Sequence, residues 1–372
     1  MLIARTCLIV LLLKAVPVMA YLIEDAPSPV VHEDGTVSFV IVAAQADTVT
    51  VAGNLAVEPV PMSVDTSGTW SVTVGPLKPG IYFYDFVVDG LHVLDQTNPW
   101  THKFLGGGTS VVLVPTSPPA FYEEQDVPRG TVHLQRQRSR ALDDWRGYEV
   151  YTPPGYDNEN DRRYPVLYLL HGYTDTEASW RTSGRAGVIL DNLIAEGAAE
   201  PMIVVMPFGY APPEAGDAEG DGPDAWARWF ARVTPRFERY LLDELIPRID
   251  ADYRTHADDR HRAIAGLSMG GGQSLQIGLG HINTFSWIGA FSAAVFEPVH
   301  DPLISRPDAL NQHLSLLWIG CGRDDFLYEL NARFLSQLDS LGVEHTAHIS
   351  AGAHSWPVWH RYLHRLLPLL FR

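Results

Sequence analysis

The pentapeptide at positions 266–270, Gly-Leu-Ser-Met-Gly, is the feature that most restricts how this chain can fold. A short apolar run at positions 262–267 leads into it, and a helix-compatible run of small residues continues to position 280. A serine between two glycines can occupy a tight turn between a buried strand and a helix, which lifts its hydroxyl out of the sheet. Small neighbours are required because a Cβ there would clash across the turn. The pattern predicts a nucleophile at Ser268, with a purely structural glycine-rich turn as the alternative.

The first twenty residues are typical of an export signal. A positively charged start is followed by a short apolar run at positions 7–13, and Ala20 is a small residue suited to cleavage. The run is shorter than the roughly 20 apolar residues that a membrane span needs. A secreted or periplasmic protein without a membrane span is therefore expected. Lys14 interrupts the apolar run, which leaves a buried N-terminal strand or helix as the alternative.

Composition restricts the class of partner. The chain has 372 residues, of which 46% are hydrophobic, and this length suits two globular domains. Its net charge is −17. Binding to nucleic acid or to an anionic membrane needs clustered lysine and arginine, so neither partner is expected. If the export signal is removed, Cys321 is the one remaining cysteine, and no intrachain disulfide is expected.

Residues 21–117 have the pattern of an all-β domain. Strands are predicted at 36–42, 48–52, 69–74 and 81–88, and Asp89-Gly90 predicts a hairpin turn after the last of them. This spacing is typical of a β-sandwich of immunoglobulin size.

The same segment resembles a known type of module in the residues at 68–70, 79–82, 88–90 and 95–99. These match the early-set, immunoglobulin-like modules found ahead of glycogen-branching enzymes and some plant-cell-wall esterases. Some of those relatives bind polysaccharide, and the resemblance implies a carbohydrate-binding role here. Four aromatic side chains would form the sugar platform: Trp70, Tyr82, Tyr84 and Trp100. Aromatic residues that alternate along strands mostly fill the core, so a place in the sandwich core and the domain contact is the favoured interpretation.

A second domain is expected from residue 130 to residue 372, after a proline-rich, semi-rigid linker at 118–129. Strand and helix patterns alternate in it, which indicates an α/β fold with a doubly wound, mostly parallel sheet and helices on both faces. Continuous apolar runs predict buried strands at 165–170, 202–206, 263–267, 287–291, 314–319 and 345–350. Helices are predicted at 187–195, 229–249, 269–280, 333–341 and 359–370.

A serine nucleophile needs an adjacent base, and the base needs a carboxylate that orients it. In this class of fold the acid follows the serine in the chain and the histidine follows the acid. Asp324 and Asp325 come after the next-to-last strand, at the edge where open α/β sheets carry their chemistry. Either could be the acid. His354 follows the last strand on a turn of small residues, from which it can reach Ser268.

Four other histidines are close to His354 in the sequence. His345 and His348 fall in the last strand pattern, and His360 and His364 share a helix face at i, i+4 spacing. The second pair could begin a metal site, but no further ligands stand at a recognisable spacing. Solvated or core histidines are expected at all four positions, and neither a metal nor another cofactor is expected.

An attacked carbonyl oxygen needs two backbone N–H groups to stabilise its developing negative charge. Met269, directly after the serine, is expected to supply one of them. Tyr173, in the loop after the 165–170 strand, is expected to supply the other, and Gly172 beside it lets the backbone approach closely.

Five stretches carry a second resemblance, at 168–172, 189–195, 201–207, 265–273 and 354–359. They resemble the esterase-D-type α/β-hydrolases of carbohydrate esterase family 1, which include feruloyl and acetylxylan esterases. Together they cover nearly all of 145–370.

This resemblance assigns the catalytic residues. In the family the acid usually falls three residues after a glycine, here Gly322, which favours Asp325 with Ser268 and His354. Asp324 is then left to cap the following helix. One departure is at 208–209, where Phe-Gly replaces the family's Asn-Gly and would alter the edge of the pocket.

The implied function is a secreted serine carboxylesterase that hydrolyses feruloyl or acetyl esters on plant polysaccharide or its fragments. An esterase for another acyl ester, such as a siderophore trilactone, is one alternative, because siderophore esterases share the fold and also carry N-terminal sandwich modules. A polysaccharide-binding protein with an inert hydrolase domain is the other.

Two further features concern the substrate. Trp180 and Trp356 are the candidates for stacking on an aromatic acyl group or a sugar, with Trp226 and Trp229 as further candidates; the alternative is that each belongs to the core. The acidic segment 214–224 only partly matches a calcium loop, because its twelfth position is an arginine. A solvated lid is expected there.

Overall fold

The structure is a computed structural model that describes residues 27–158, 161–212 and 225–372. The predicted export signal and the predicted acidic lid lie outside the described residues. Within these ranges, no helix has both the length and the apolar character needed to cross a membrane.

Two antiparallel sheets form the N-terminal part and pack around one core. The strands are β1 (Val30–Val31), β2 (Val37–Val42), β3 (Val49–Gly53), β4 (Val60–Pro61), β5 (Ser63–Val64), β6 (Thr69–Val74), β7 (Gly80–Val88), β8 (Leu91–Val93), β9 (Thr101–Phe104) and β10 (Gly107–Val114). One sheet has the order β1-β2-β6-β5, and the other has the order β4-β3-β7-β10-β9 with β8 paired to β7. The rings of Phe39 and Tyr84, from opposite sheets, are 4.7 Å apart. Side chains alternate between the two faces of a strand, which lets each sheet turn its apolar face inward.

The four predicted sandwich strands are confirmed. The turn between β7 and β8 is formed by Asp89 and Gly90, whose φ angles are 47° and 85°. Two successive positive φ angles are what a two-residue hairpin loop with matching twist requires.

Two of the four aromatic candidates for a sugar platform fill the sandwich core, as the favoured interpretation of the sequence expects. Trp70 and Tyr84 are buried in the sandwich core, where neither presents a ring face to a ligand. The Tyr84 hydroxyl donates a hydrogen bond to the Asp95 carboxylate over 2.7 Å. Tyr82 is half-buried, and its hydroxyl donates to the backbone oxygen of Lys78.

An eight-stranded mixed sheet forms the centre of the C-terminal part, in the order β11-β12-β14-β13-β15-β16-β17-β18. The strands are β11 (Thr131–Ser139), β12 (Asp144–Thr152), β13 (Val166–Leu170), β14 (Ile203–Pro207), β15 (Arg262–Leu267), β16 (Trp287–Phe291), β17 (Leu316–Gly322) and β18 (Thr346–Ser350). Strands β13 to β18 pair in parallel, whereas β11 and β12 run antiparallel at one edge. The six predicted strands are confirmed, and the two antiparallel edge strands were not predicted.

Helices cover both faces of this sheet. They are α1 (Ser179–Thr182), α2 (Ala186–Ala195), α3 (Ala225–Tyr240), α4 (Ile246–Asp252), α5 (Met269–Gly280), α6 (Glu297–Ile304), α7 (Pro307–His313), α8 (Tyr328–Leu341) and α9 (Trp356–Leu366). Apolar residues of α2 and α9 pack on one face, and those of α3, α5 and α8 pack on the other. The helix predicted at 229–249 is confirmed: α3 and α4 form one continuous helical segment that contains a π-helical turn at Leu241–Leu245.

The linker predicted at 118–129 does not act as a spacer, because it lies against the second domain. The Asn192 side-chain amide donates to the backbone oxygens of Phe121 and Glu123 over 3.0 and 2.9 Å. The ring of Phe121 also lies 4.3 Å from that of His364 on α9. Proline content alone could not predict these contacts.

The sandwich is docked on the loop after β13. The buried imidazole of His102 on β9 lies 3.1 Å from the carboxylate of Asp175, which is also buried. Next to this pair, the Leu105 N–H donates to the backbone oxygen of Thr174 over 2.6 Å. The sandwich therefore holds the loop in which the sequence predicts an oxyanion N–H.

Candidate active site

Ser268 lies between β15 and α5 in a strained backbone conformation. Its φ of 53° and ψ of −115° are outside the regions that a residue with a side chain normally adopts. Neighbouring backbone holds it there: the Ser268 N–H donates to the oxygen of Phe291, and the Ala294 N–H donates to the oxygen of Ser268. Strain of this kind persists only where the surroundings enforce it, and it is typical of functional sites.

Gly266 and Gly270 are required by the close packing around this turn. A Cβ on Gly266 would lie 2.5 Å from the backbone oxygen of Gly270. A Cβ on Gly270 would lie 2.5 Å from the oxygen of His171 and 2.6 Å from that of Leu170. These contacts are with backbone atoms, which cannot move aside cheaply. The glycines at both ends of the pentapeptide are therefore steric requirements, as the sequence pattern predicts.

His354 is hydrogen-bonded to Asp325. Its Nδ1 lies 3.0 Å from Oδ1 and 2.9 Å from Oδ2 of that carboxylate. A carboxylate only accepts, so Nδ1 carries the proton and Nε2 keeps a lone pair. Burial alone would raise the pKa of Asp325. Hydrogen bonds from His354 and from the N–H of Leu327 together outweigh this effect, and the pKa lies below its ordinary value. The carboxylate is therefore ionised at neutral pH.

Asp324 does not cap the following helix, contrary to prediction. Its carboxylate accepts a hydrogen bond from the Gly352 N–H over 3.1 Å. Helix α8 begins at Tyr328, and the side chain that bonds the backbone ahead of it is that of Asp325, which accepts from the Leu327 N–H over 2.8 Å. The two neighbouring carboxylates thus have separate partners. Asp324 binds the backbone of the loop that carries His354, and Asp325 binds the imidazole of His354.

Ser268 and His354 line the same cleft, which has a volume of about 340 Å³. In the described part of the chain, no hydrogen bond joins the Ser268 hydroxyl to the imidazole. Catalytic hydrogen bonds are often long or poorly aligned without substrate and tighten when the reacting complex forms. The three residues therefore occupy one site, with the serine–histidine contact not yet made.

The oxyanion candidates border the same cleft. Gly172 and Tyr173 line it, and a Cβ on Gly172 would lie 3.5 Å from the Cβ of Ser268. Met269 is the first residue of α5. The first N–H groups of a helix have no partner within it, which leaves the Met269 N–H free of intrahelical bonding. Both predicted donors are therefore close to Ser268.

His171 fixes the backbone of the loop that carries these groups. Its Nδ1 donates to the Gly172 oxygen over 2.8 Å, and its Nε2 accepts from the Gly209 N–H over 2.9 Å. Gln273 on α5 donates to the oxygen of the same Gly209. Burial lowers the pKa of His171, which keeps the ring neutral with one donor and one acceptor. The backbone of Gly209 therefore supports the loop that carries Gly172 and Tyr173, whereas the departing residue Phe208 does not line the cleft.

Trp180 and Trp356 differ in their relation to the cleft. Trp180 is 0% exposed, and its indole N–H donates to the backbone oxygen of Leu170 over 2.9 Å. The prediction that it binds substrate is wrong, because its ring lies in the core. Trp356 lines the cleft, although most of its surface is also buried. Trp226 and Trp229 lie with Tyr173, at ring distances of 4.4 and 5.5 Å.

The other histidines near the end of the chain lie away from the triad. His345 lies just before β18 rather than in it, and His348 is stacked on Trp318 at 5.7 Å. His360 is buried with its Nε2 2.5 Å from the Ser183 oxygen, and His364 lies against Phe121.

Several residues at the site were not among the predicted ones, and three of them stand out. The ring of Phe326 is 75% exposed and lies 4.5 Å from that of His354. Asn54 and Phe83 come from the sandwich and line the cleft. Because Phe326 directly follows Asp325 in the sequence, its position near the site could have been predicted. Nothing in the sequence indicates which loops of the sandwich reach the second domain.

The chain is similar to known esterases. The Esterase family model, described as "Putative esterase", matches residues 139–370. A protein from Xylanibacter ruminicola named endo-1,4-beta-xylanase/feruloyl esterase is 32% identical over 353 residues, which is 92% of this chain and 46% of that protein. An esterase from Mycobacterium tuberculosis is 35% identical over 131 residues, 34% of this chain and 24% of its own length. The chain thus spans half or less of these relatives.

Solved structures of esterases are similar to much of the chain. A CE1 ferulic acid esterase from the anaerobic fungus Anaeromyces mucronatus has a TM-score of 0.58 and 26% identity, over 68% of this chain and 96% of that one. The enterobactin esterase of Shigella flexneri has a TM-score of 0.62 over 90% of this chain and 92% of its own, but at 18% identity this likeness concerns the fold alone. The match to the family model covers more than half of the chain, and the chain belongs to the esterase family of α/β-hydrolases.

Proposed function

We propose that this protein is a serine carboxylesterase that hydrolyses feruloyl or acetyl esters on plant polysaccharide or its fragments. The observation that carries the proposal is the Asp325–His354 hydrogen bond in the cleft where Ser268 occupies its strained turn. The substrate class is supported by the names of the Xylanibacter ruminicola relative and of the fungal ferulic acid esterase.

In the first half of the reaction, the Ser268 oxygen attacks the ester carbonyl and its proton passes to Nε2 of His354. Asp325 stabilises the imidazolium that forms, as an ionised carboxylate at the other ring nitrogen does. The negative charge on the carbonyl oxygen is met by the N–H groups of Met269 and Tyr173. His354 then returns the proton to the departing alcohol oxygen, which leaves an acyl group on Ser268.

In the second half, water replaces the alcohol. His354 accepts a proton from the water, whose oxygen attacks the acyl carbonyl, and the Ser268 oxygen leaves with that proton. The products are a carboxylic acid and the free enzyme, so no cofactor or redox partner is required for atoms and charges to balance.

Replacement of the nucleophile tests this mechanism. Ser268→Ala is expected to reduce hydrolysis of 4-nitrophenyl acetate to the level of buffer alone, with an unchanged melting temperature. Ser340→Ala, at an exposed serine whose hydroxyl bonds only the backbone of its own helix, is the control and is expected to retain full activity. Wild-type turnover by Ser268→Ala would remove Ser268 from the mechanism.

A substrate panel tests the ester class. The panel contains a feruloylated arabino-oligosaccharide, an acetylated xylo-oligosaccharide and a catecholate trilactone, each compared by kcat/KM. The proposal expects one of the saccharide esters to be preferred. Preference for the trilactone would support the siderophore alternative, and binding to xylan without hydrolysis of any ester would support the inert-domain alternative.

We also propose that residues 1–20 are a cleaved export signal, and that residues 21–117 and 130–372 are the two domains. The short apolar run that ends near Ala20 supports the first statement. The N-terminal sequence of the protein recovered outside the cytoplasm is expected to begin at Tyr21. A mature chain that still begins at Met1 would contradict it.

A further inference from the structure

The sandwich forms part of the wall of the candidate catalytic cleft. Asn54, directly after β3, and Phe83, in the middle of β7, line the cleft together with Ser268 and His354. Both residues precede the segment that matches the esterase family model, which begins at residue 139. The surface available to a bound ester is therefore larger than the surface that the hydrolase fold alone would provide.

Docking of the sandwich keeps this wall in place. The buried His102–Asp175 pair and the Leu105–Thr174 hydrogen bond join β9 and its turn to the loop directly after Tyr173. Burial of a paired imidazole and carboxylate makes such a contact costly to break. Asn54 consequently keeps a defined position relative to the oxyanion loop.

The side-chain amide of Asn54 is fixed with its donor end available. The Phe83 N–H donates to Oδ1 of Asn54 over 2.8 Å, and the Asn54 N–H donates to the Phe83 oxygen over 3.1 Å. A backbone N–H can only donate, so the atom that faces it is the amide oxygen, and the NH₂ group is the other end. In the described parts of the chain this NH₂ group has no hydrogen-bond partner, and Asn54 is exposed.

The backbone before Asn54 limits its movement. Gly53 has a φ of 137°, and a Cβ there would lie 2.1 Å from the backbone oxygen of Phe83. The turn thus packs tightly against β7. Little conformational entropy is therefore lost when the amide donor of Asn54 binds a ligand.

The sandwich approaches the cleft on the side of the histidine. The ring of Phe83 lies 5.7 Å from that of His102, which lies 6.0 Å from that of Trp356, two residues after His354. In the proposed mechanism His354 gives its proton to the departing oxygen, so the alcohol part of the ester lies beside the imidazole. The sandwich wall that contains Asn54 and Phe83 therefore extends close to where the alcohol part of the ester would lie.

We propose that Asn54 is a specificity-determining residue that donates a hydrogen bond to a hydroxyl group of a saccharide, the alcohol part of the ester, while Phe83 contacts its apolar face. The inference rests on the proposed serine esterase function but not on the identity of the acyl group. An alkyl ester has no hydroxyl to accept this bond, so the enzyme prefers sugar esters over alkyl esters of the same acid.

The test compares two alcohols attached to one acyl group. The ratio of kcat/KM for feruloylated arabino-oligosaccharide to that for methyl ferulate is measured in the wild type, Asn54→Ala and Asn54→Asp. Asn54→Asp retains the acceptor for the Phe83 N–H and loses the donor. Both variants are expected to lower the ratio about three- to tenfold, mainly through a higher KM for the saccharide ester. Val57→Ala, at an exposed sandwich residue that does not line the cleft, is the control and is expected to keep the ratio.

The same ratio is measured for acetylated xylo-oligosaccharide and ethyl acetate. If the wild type hydrolyses only acetyl esters, the feruloyl part of the proposed function fails while the Asn54 inference is still tested by this pair. An unchanged ratio in both variants would overturn the inference. So would an equal loss on the sugar ester and the alkyl ester, which would assign Asn54 to the acyl side or to stability.

Discussion

Gly322, at the end of β17, lies so close to Gly352 that a Cβ on Gly322 would stand 1.9 Å from the Gly352 backbone oxygen. Gly322 precedes Asp325 by three residues, and Gly352 precedes His354 by two. The approach of these two backbones brings the acid and the histidine within hydrogen-bond distance.

Gly322→Ala is expected to lower kcat strongly, with a moderate decrease in the free energy of unfolding. The added methyl group must push the histidine loop away, and a displacement of about 1 Å at a catalytic group can cost about a hundredfold in rate. The free energy of unfolding is expected to fall by about 1–3 kcal/mol. The measurements are kcat on 4-nitrophenyl acetate and urea denaturation. Gly280→Ala, where the nearest atom to the added Cβ is 4.0 Å away, is the control, and equal losses in both variants would contradict the steric argument.

Asp325→Asn is expected to lower kcat by roughly a thousandfold or more, because an amide does not stabilise the imidazolium and can bind the wrong histidine tautomer. Asp324→Asn is the matched control. Its amide oxygen can still accept from the Gly352 N–H, so we expect kcat within about twofold of the wild type. If Asp324→Asn proved the more damaging change, the assignment of the acid would be reversed.

Loss of Arg181 is expected to destabilise the protein in a pH-dependent manner. Arg181 donates two hydrogen bonds to Glu149, over 2.8 and 2.9 Å, and the Glu149 side chain is 4% exposed. Burial raises the pKa of Glu149 above its ordinary value although Arg181 opposes this. A pKa raised on folding means that stability falls as pH rises from the unfolded pKa through the folded one.

Arg181→Met is expected to raise the pKa of Glu149 further, because the opposing positive charge is removed. The decrease in stability with rising pH then extends to higher pH. We expect about 2 kcal/mol less stability at pH 7 and a smaller deficit near pH 5, measured by urea denaturation. Addition of Glu149→Gln to Arg181→Met is expected to restore much of the difference. A deficit of the same size at both pH values would contradict the electrostatic explanation.

His360 is expected to make the fold acid-sensitive. Burial lowers its pKa to about 4, although its hydrogen bond to the Ser183 oxygen favours the charged form. The unfolded chain therefore binds this proton more readily, and stability falls as pH drops from about 6.5 towards 4. Between pH 7.5 and pH 4.5 this group accounts for on the order of 2–3 kcal/mol.

His360→Gln keeps a donor for the Ser183 oxygen but does not titrate in this range. We expect its stability to decline less between pH 7.5 and pH 4.5 than that of the wild type. His313→Gln, at an exposed histidine on α7, controls for the loss of one histidine. An identical pH dependence in His360→Gln and the wild type would show that His360 is protonated without cost.

Local patterns were sufficient to predict the tight turn between strand and helix at Ser268. The glycines around Ser268 follow from steric contacts with adjacent segments, and the buried parallel strands appear as continuous apolar runs. Strand β11 was missed because it is an edge strand with many exposed polar residues and no apolar run. The π-helical turn after Tyr240 was not predicted, because the chain remains helical on both sides of it.

Contacts between distant segments could not be predicted in the same way. Whether Trp180 reaches the cleft depends on how α1 packs under Trp356, where the rings are 5.3 Å apart. The positions of Asn54 and Phe83 depend on how two separately folded sheets dock. Composition and periodicity carry no information on either arrangement, because each is decided by the complementary shapes of surfaces far apart in the chain.

The bond between Leu105 and Thr174 has an implication for how such enzymes can be recombined. A chimera that carries a foreign N-terminal module would lose this hydrogen bond to the backbone next to Tyr173. The proposed Tyr173 N–H donor would then be less firmly positioned. A foreign module would therefore preserve the position of this segment only if it provided an equivalent edge with a backbone donor for the Thr174 oxygen.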